Sequence, residues 1–381
     1  MQVLTNGIRN AIGNVSGITR AKSPAVILQN IQLSFDEEGV MFYCTDLETS
    51  GESWLPCTPG DLAGQSIVVN CQALSSSIRK MEAEEPVNLK LTGSKLIVSQ
   101  KRSRYQIPLY TQSEMPSMQL TGGETVKLPA VDVATGINLV IGCCSETRHS
   151  FTQGVIFDMD GSMLSVVATD GTMLGIYETV IAGESAGLPK KAVCIPHSSL
   201  ASFSSALNVD EEIEMTIGDN RVMFRMSNST YSTPLLSVKI PDWRALHPAK
   251  SKLNSPFQTA TVDLAVFKSS LENVRLMTDK MSLGVRVEFG DDEINFSTRE
   301  NESGSAWASC FGTVGEFMDD QPKEKTCVDI DKLRSMFRGL DGEQDIEVSQ
   351  SVAPDGDVGA LILRSDKQDW HGLIMPMRWD D

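Results

Sequence analysis

The 381-residue sequence contains no uninterrupted apolar run of about 18 residues, so none of it reads as a membrane-spanning helix. Its eight cysteines, at 44, 57, 71, 143, 144, 194, 310 and 327, form no CxxC pair. The adjacent Cys143 and Cys144 suit neither a zinc knuckle nor an easy local disulfide. The sequence therefore reads them as buried thiols of a reduced compartment. The four histidines, His149, His197, His247 and His371, have no ligand spacing, and no P-loop or dinucleotide fingerprint is present. No metal and no cofactor is expected. The opening MQVLTNGIRNAIG lacks a basic stretch followed by an apolar core, so it does not read as a signal peptide, and a cytoplasmic protein is expected.

Positive charge is also scarce. Lys and Arg number 33 against 50 Asp and Glu, a net charge of −17. A surface of that sign repels nucleic acid at long range and excludes a simple DNA binder that works by neutralising phosphates. Enzyme signatures are thin. Gly183-Glu184-Ser185-Ala186-Gly187 matches the GxSxG nucleophile pattern, but Leu188-Pro189-Lys190-Lys191 follows as a loop before a strand, where the elbow needs a helix. Asp158-Met159-Asp160-Gly161 lacks the later ligands of a calcium loop and reads as a hairpin turn. Thr45-Asp46 and Thr169-Asp170 occupy matching places and read as structural strand ends rather than catalytic carboxylates.

What the sequence does contain is itself, three times over. Helix-like segments begin at Leu4, Leu128 and Val262, at offsets of 124 and 134. Strand-to-helix segments begin at Val68, Ala192 and Thr326, again at 124 and 134. Hairpin-like segments begin at Leu89, Ile213 and Ile346, at 124 and 133. Three independent segments with nearly the same offsets make the chain three copies of one domain, expected at 1–122, 123–252 and 253–381. The borders fall in the unpatterned stretches QLTGGET and AKSKLN. Alternating apolar strands and turn signals at Asp160-Gly161, Gly218-Asp219-Asn220 and Gly290-Asp291-Asp292 predict antiparallel sheet. The fold class is α+β, with two helices in each copy.

The charge is not spread evenly. The six helix-like segments, 4–22, 71–82, 129–150, 196–208, 262–281 and 329–340, together carry +4, which leaves −21 on the rest. Lys, Arg and Glu have similar helix propensity, so propensity alone does not separate the signs.

With these features in view, the whole chain resembles the bacterial replicative sliding clamps, the DNA polymerase III β-subunit family. The motifs that carry the likeness are SPAVILQNIQL (23–33), YCTDLE (43–48), KRSRY (101–105), VATDGTML (167–174), KIPDW (239–243) and LIMPMRW (373–379). The resemblance implies the DNA clamp fold, two chains closing head-to-tail into a ring around duplex DNA, and a non-catalytic role as a polymerase processivity factor. Implied partners are double-stranded DNA held without sequence preference, the DNA polymerase catalytic subunit, a clamp loader and other clamp-binding-motif proteins. No membrane partner is expected. Encirclement needs no strong phosphate contacts, which accommodates the acidic charge. Helix position offers Arg9, Arg20, Lys22, Arg79, Lys80, Arg148, Lys268, Arg275, Arg334 and Arg338 as the DNA channel. Motif by motif, the peptide-binding pocket is expected at Thr152, Thr169, Gly171, Thr172, Met173, Leu174, Pro241, Leu246, Met281, Leu373, Ile374, Met375, Pro376, Met377 and Arg378. The family usually has His-Arg after ATDG, where this chain has Thr172-Met173. The dimer seam is expected to set Arg102 and Arg104 against Glu300 and Glu302, beside Tyr105 and Leu276. The triplication alone also permits a protein-binding scaffold that does not encircle DNA.

Overall fold

The computed structural model describes residues 1–19, 25–110, 115–116, 122–145, 150–182, 187–204, 206–248, 250, 256–278, 283–302, 304–315, 326–352 and 358–377. In chain order the first elements are β1 (Gln2–Leu4), α1 (Thr5–Ser16), β2 (Asn30–Phe35), β3 (Gly39–Thr45), β4 (Ser50–Pro56), β5 (Ser66–Asn70), α2 (Cys71–Arg79), β6 (Pro86–Thr92), β7 (Lys95–Gln100) and β8 (Ser103–Pro108). Next come β9 (Glu124–Pro129), α3 (Ala130–Val140), β10 (Gly154–Gly161), β11 (Met163–Thr169), β12 (Met173–Val180), β13 (Leu188–Pro196), α4 (His197–Ser204), β14 (Glu212–Ile217), β15 (Arg221–Arg225) and β16 (Ser229–Pro234). The last are β17 (Pro256–Asp263), α5 (Leu264–Arg275), β18 (Gly284–Phe289), β19 (Glu293–Ser297), β20 (Trp307–Val314), β21 (Thr326–Asp329), α6 (Ile330–Met336), β22 (Asp345–Val352), β23 (Val358–Ser365) and β24 (Trp370–Ile374). The order strand, helix, four strands, helix, three strands runs three times.

Two compact units contain these elements. The first comprises Met1–Ala134 and Ser198–Leu235. It contains a four-stranded sheet, β1-β6-β7-β8, and an eight-stranded sheet, β5-β2-β3-β4-β16-β15-β14-β9. The second unit comprises Thr135–His197 and Leu236–Asp381. It contains a twelve-stranded sheet, β13-β10-β11-β12-β24-β23-β22-β17-β20-β19-β18-β21. Every recorded strand pair is antiparallel, as the hairpin signals predict.

Local sequence accounts for the helices. In α1 the buried residues Thr5, Ile8, Ala11, Ile12 and Val15 form one stripe at helical spacing. In α5 the stripe is Leu264, Phe267, Ser270, Leu271 and Val274. Three helices start on a capping residue at the end of the preceding strand. Asn70 accepts from the Ala73 amide, Asp263 from Val266, and Asp329 from Asp331 and Lys332. The helices are shorter than their sequence patterns: α1 ends at Ser16 and α5 at Arg275, where 4–22 and 262–281 read as helix-like.

The Thr-Asp pairs build the same turn twice. Asp46 accepts from the Glu48 and Thr49 amides, and the Thr45 hydroxyl donates to the Thr49 carbonyl. Asp170 accepts from the Thr172 and Met173 amides, and the Thr169 hydroxyl donates to the Met173 carbonyl. Both are Asx turns closing a hairpin, so these carboxylates serve as structure. The GxSxG match falls too: 183–186 lie outside the described residues, and Leu188 opens strand β13, not a helix.

All eight cysteines are free, and six of them are buried. In the first unit the core centres on Phe203, which stacks on Phe224 at 4.3 Å and tilts against Tyr231 at 5.1 Å. The Tyr231 hydroxyl donates to the Ser199 carbonyl at 2.6 Å. Phe203→Ala removes a fully buried ring and is expected to cost ~3–5 kcal/mol. Urea unfolding followed by tryptophan fluorescence reads this as a lowered midpoint with the fold retained in water.

Candidate functional site

Most of the sequence-predicted pocket residues are brought together by one strand pair in the second unit. β12 pairs with β24 in the register Met173↔Ile374, Leu174↔Leu373, Gly175↔Gly372 and Ile176↔His371. The chain then leaves the sheet, with the Met375 amide donating to the Thr172 carbonyl at 2.7 Å and the Met377 amide to the Cys327 carbonyl at 2.8 Å. The C-terminal segment is thereby fastened to the Thr169–Met173 turn. Beneath lies a buried apolar cluster of Ile156, Val167, Leu174, Ile176, Cys194, Trp243, Ala360 and Leu373. Leu236, Val238 and Ile240 pack on it, half-buried. Their alternation runs directly into Pro241.

The residues of the predicted pocket divide by exposure. Thr152, Met173, Leu174, Leu373 and Ile374 are buried and form structure under the site. Met375 at 49% and Leu246 at 46% exposure present apolar surface, with Thr169, Thr172, Pro241, Pro376 and Met377 half-buried and Gly171 exposed. Met281 and Arg378 lie outside the described residues.

Buried polar groups hold the segment that carries Pro241 and Leu246. Asp158 accepts from the Trp243 indole at 3.0 Å and pairs with Arg244, whose guanidinium lies 4.5 Å from the Trp243 ring centre. Glu178 pairs with His247 at 3.1 Å and Lys250 at 2.5 Å. Burial pushes the Glu178 carboxyl up, but hydrogen bonds from His247 and Lys250 overcome it and leave its pKa lowered to about 2. The His371 ring stands 4.9 Å from that of His247. Burial, with the charges of His247 and Arg364, lowers the His371 pKa to about 4. At the turn, Asp170 pairs with Lys332 of α6 at 2.7 Å. Burial opposes its charge, yet Lys332, two backbone amides and the Thr172 hydroxyl hold its carboxyl below the usual range. Lys332 also donates to the Thr172 hydroxyl at 2.5 Å.

The channel candidates lie on helices but differ in their electrostatics. Arg9 on α1 and Arg79 on α2 flank a hollow of about 190 Å³, and Lys80 follows on the exposed end of α2. A second hollow, of about 330 Å³, lies between α5 and α6 and includes Lys268, Arg334 and Arg338 in its lining. Here the cations have acidic partners: Asp331 binds Arg275 at 2.5 and 3.0 Å and Arg334 at 3.1 Å, and Glu272 binds Arg334 at 2.5 Å. The hydrogen bond from Arg275, above all, holds the Asp331 carboxyl below its ordinary range. Lys268 donates to the Leu340 carbonyl, and burial lowers its pKa. Of the ten channel candidates, Arg275 and Arg334 are thus paired with acidic residues of the neighbouring helix turns. Arg20, Lys22 and Arg148 lie outside the described residues.

The seam candidates lie on and just before β8, and in the segments that follow α5 and β19. β8 is the end strand of its sheet and carries Arg104, exposed, and Tyr105, half-buried, with the exposed Arg102 just before it. In the second unit Glu300 and Glu302 are exposed, and Leu276 is 80% exposed. Sequence reasoning missed their neighbours on β20, Trp307 at 65% and Phe311 at 69% exposure. Their i, i+4 spacing on a strand was the available signal, since it places both on one face.

The family models match this chain twice in succession. Residues 1–119 match the N-terminal domain of the DNA polymerase III beta subunit, and residues 136–242 match its central domain. The chain belongs to the DNA polymerase III β-subunit family. Among relatives called beta sliding clamps, that of Vibrio cholerae is 21% identical over 295 residues, 77% of this chain and 78% of its own. That of Caulobacter vibrioides is 22% identical over 313 residues, 78% and 80% of the two chains. Two solved structures share the fold. A sliding clamp from Pseudomonas aeruginosa, crystallised with griselimycin, superposes with a TM-score of 0.83 at 15% identity, covering 100% of this chain and 99% of that one. The beta subunit from Thermotoga maritima gives 0.83 at 17% identity with the same coverage.

The ion pairs that hold the Pro241–Lys250 wall of this clamp-family chain make its stability depend on acid. Glu178 has a folded pKa of about 2 against an ordinary 4.5, so its stabilisation is complete above pH 4.5 and disappears as the pH falls towards 2. His371 is held neutral, with a pKa of about 4 against 6.5, so stability falls as the pH drops through that interval as well. In urea titrations across pH, Glu178→Gln should be less stable than the wild type above pH 4.5, with the gap closing towards pH 2. The decline between pH 6.5 and 4 should remain in the variant.

Proposed function

We propose that this chain is a sliding clamp: a non-catalytic ring that encircles duplex DNA and tethers the replicative polymerase and other DNA enzymes through a hydrophobic peptide site. In this reading its three copies span 1–122, 123–252 and 253–381, and it works on DNA in the cytoplasm beside a clamp loader.

One observation carries the proposal. Each unit contains the same kind of joint between strand edges. In the first, β4 meets β16 with Gly51 opposite Tyr231; in the second, β12 meets β24 with Gly175 opposite Gly372. Each of these glycines pairs, within its own hairpin, with the residue just before a Thr: Gly51 with Cys44 before Thr45, Gly175 with Ala168 before Thr169. By the same rule the third such strand is β20, where Trp307 pairs with Ser297 before Thr298. Among the described residues, 307–311 pair with β19 alone, because β17 meets β20 only at 312–314. The strand equivalent to β16 and β24 is β8; among the described residues Ser103–Pro108 pair with β7 alone, and β5 reaches this border only past its end, where Val69 bridges Leu109. One β20 edge and one β8 edge per chain, each matching the other's joint, support a head-to-tail contact that closes after two chains. The third residue of β16 and of β24 is the one opposite the glycine, so Tyr105 of a second copy would face Trp307. Leu276, Phe311 and the charges of Arg102, Arg104, Glu300 and Glu302 surround that pairing.

The encirclement reading is tested by retention. On nicked circular duplex the wild type should remain bound at high salt and be lost when the circle is cut. Equal loss from both templates would favour the scaffold reading and overturn encirclement. Trp307→Glu, at an exposed position, should weaken self-association at least tenfold in sedimentation and abolish retention.

The Met375 surface supports the peptide site. Two apolar anchors contribute ~3–6 kcal/mol on burial, and micromolar affinity needs ~8 kcal/mol. Backbone hydrogen bonds supply the rest, and exchange among partners stays fast. Met375→Asp should weaken binding of a labelled clamp-binding peptide at least tenfold in fluorescence anisotropy and leave the sedimentation of the protein unchanged.

A further inference from the structure

The helices make one side-chain contact twice. Counted from the first residue of each helix, the thirteenth position is Gly17 for α1, Gly142 for α3 and Leu276 for α5. The sixth position is Ser76 on α2, Ser202 on α4 and Ser335 on α6. In the first unit the Ser202 hydroxyl donates to the Gly17 carbonyl at 3.1 Å. In the second the Ser335 hydroxyl lies 2.8 Å from the Gly142 carbonyl and shares its proton with the Lys332 carbonyl at the same distance. The last carbonyls of a helix have no donor within it. In both units a serine of a later helix supplies one.

The third pair is not made within the chain. Ser76 is half-buried on α2, and its hydroxyl accepts from the Gln72 amide at 3.2 Å, which leaves its own proton to donate. At the end of α5 the Arg275 carbonyl accepts from the Thr278 hydroxyl and the Met277 carbonyl from the Asn301 amide, both at 2.8 Å. Among the described residues no donor reaches the Leu276 carbonyl between them.

Leucine in the place of glycine decides which of the two contacts the third can follow. A Cβ on Gly142 would come 2.0 Å from the Ser335 carbonyl, so that contact admits glycine alone. A Cβ on Gly17 would come 3.1 Å from the Ser202 Cβ, which a shift of a few tenths of an ångström relieves. Leu276 therefore fits a contact of the first kind, with its side chain passing beside the serine. On α2 the residue one turn before Ser76 is Ala73, exposed and small enough to leave that path open.

We infer that Ser76 of one chain donates to the Leu276 carbonyl of a second copy, with the Leu276 side chain laid on Ala73, so that this face of α2 is an interaction surface for the end of α5. The contact rests on the head-to-tail reading of the seam, and it adds helices to a pairing argued above from strand edges. Both follow one order. The copies joined by β4 and β16 are those joined by Gly17 and Ser202, and the copies joined by β12 and β24 are those joined by Gly142 and Ser335. The strands β20 and β8 belong to the copies that carry Leu276 and Ser76. A closed pair of chains has two seams, so two such hydrogen bonds depend on Ser76.

The test is sedimentation of the full chain over a concentration series. Ser76→Ala removes both hydrogen bonds and should raise the dissociation constant of the pair by about tenfold. Ser76→Glu, which sets a carboxylate against the Leu276 carbonyl, should raise it further. Ser75→Ala, at the adjoining residue that lines the α1–α2 hollow, should leave it unchanged. All three should keep the circular dichroism of the wild type, since Ser76 and Ser75 lie on the surface of α2. No rise in Ser76→Ala, or an equal rise in Ser75→Ala, would overturn the inference. Trp307→Glu, run alongside, separates this failure from failure of the seam itself. If Trp307→Glu dissociates the pair and Ser76→Ala does not, the strand seam stands and the helix contact falls. If the wild type sediments as a monomer at micromolar concentration, both fall.

Discussion

The backbone edge of a β-strand is a row of donors and acceptors that must find partners, and this chain is organised by how it pairs them. Two kinds of border strand recur, and wherever both occur within a unit they are zipped together. The side chains at the two joints have little in common. Ser, Gly, Glu and Ser meet Ser, Tyr, Thr and Ser in one, while Met, Leu, Gly and Ile meet Ile, Leu, Gly and His in the other. What they share is the antiparallel ladder and a glycine. A Cβ on Gly51 would come within 2.5 Å of Ile18, and one on Gly175 within 2.8 Å of the Cys143 sulfur. Both joints therefore bring neighbouring structure down onto the strand itself. At the third strand of this kind the glycine is replaced by Trp307, which stands mostly in solvent. A large ring at the one position where the others allow no side chain marks a different kind of joint.

Electrostatics follow the same economy. An acidic protein that held DNA by affinity would need a dense basic face, and each neutralised phosphate would steepen its salt dependence and slow its travel. The helices here carry a modest excess of cations, and in α5 and α6 part of the positive charge is paired. Arg275 and Arg334 are fastened to Asp331 and Glu272, and the pairing joins α5 to α6. Exposed pairs of this kind add little stability, but a network of four charges sets register. Arg9 and Arg79, by contrast, flank a hollow with no acid in its lining.

The repeat was legible because it is local. Helix stripes, strand-end caps such as Asn70 and Asp329, and hairpin turns are written within a few residues, so three copies announced themselves at constant offsets. The Thr-Asp turns were legible for the same reason. Helix ends were not. The pattern ran on to residue 22 and to 281, whereas α1 stops before Gly17 and α5 before Leu276. Pairing at a distance was invisible as well. A charge count over a helix cannot tell Arg338, which has no acidic partner among the described residues, from Arg334, which has two. Nor can periodicity reveal that residues 173–177 and 370–374 are neighbours; the shared family motifs supplied that link.

The turn beside the proposed peptide surface shows how architecture and specificity separate. Asp46 and Asp170 make the same hydrogen bonds, though only the second lies beside the Met375 surface. The carboxylate is therefore there to close the hairpin, and it cannot also define what binds. What differs is carried by Thr172 and Met173. Met173 is buried, its sulfur 3.9 Å from the Ser335 hydroxyl, so it faces α6 and not solvent. The Thr172 hydroxyl is bound to Asp170 and Lys332. The cation at this rim thus comes from α6 and is already paired, where a His-Arg turn would present its own. A ligand docking here meets a rim with its charge compensated above an apolar floor. If the proposed peptide site is used, discrimination among ligands would rest on the fit of their apolar side chains to Leu246 and to Met375 and Met377, whose flexible thioethers can repack around more than one shape.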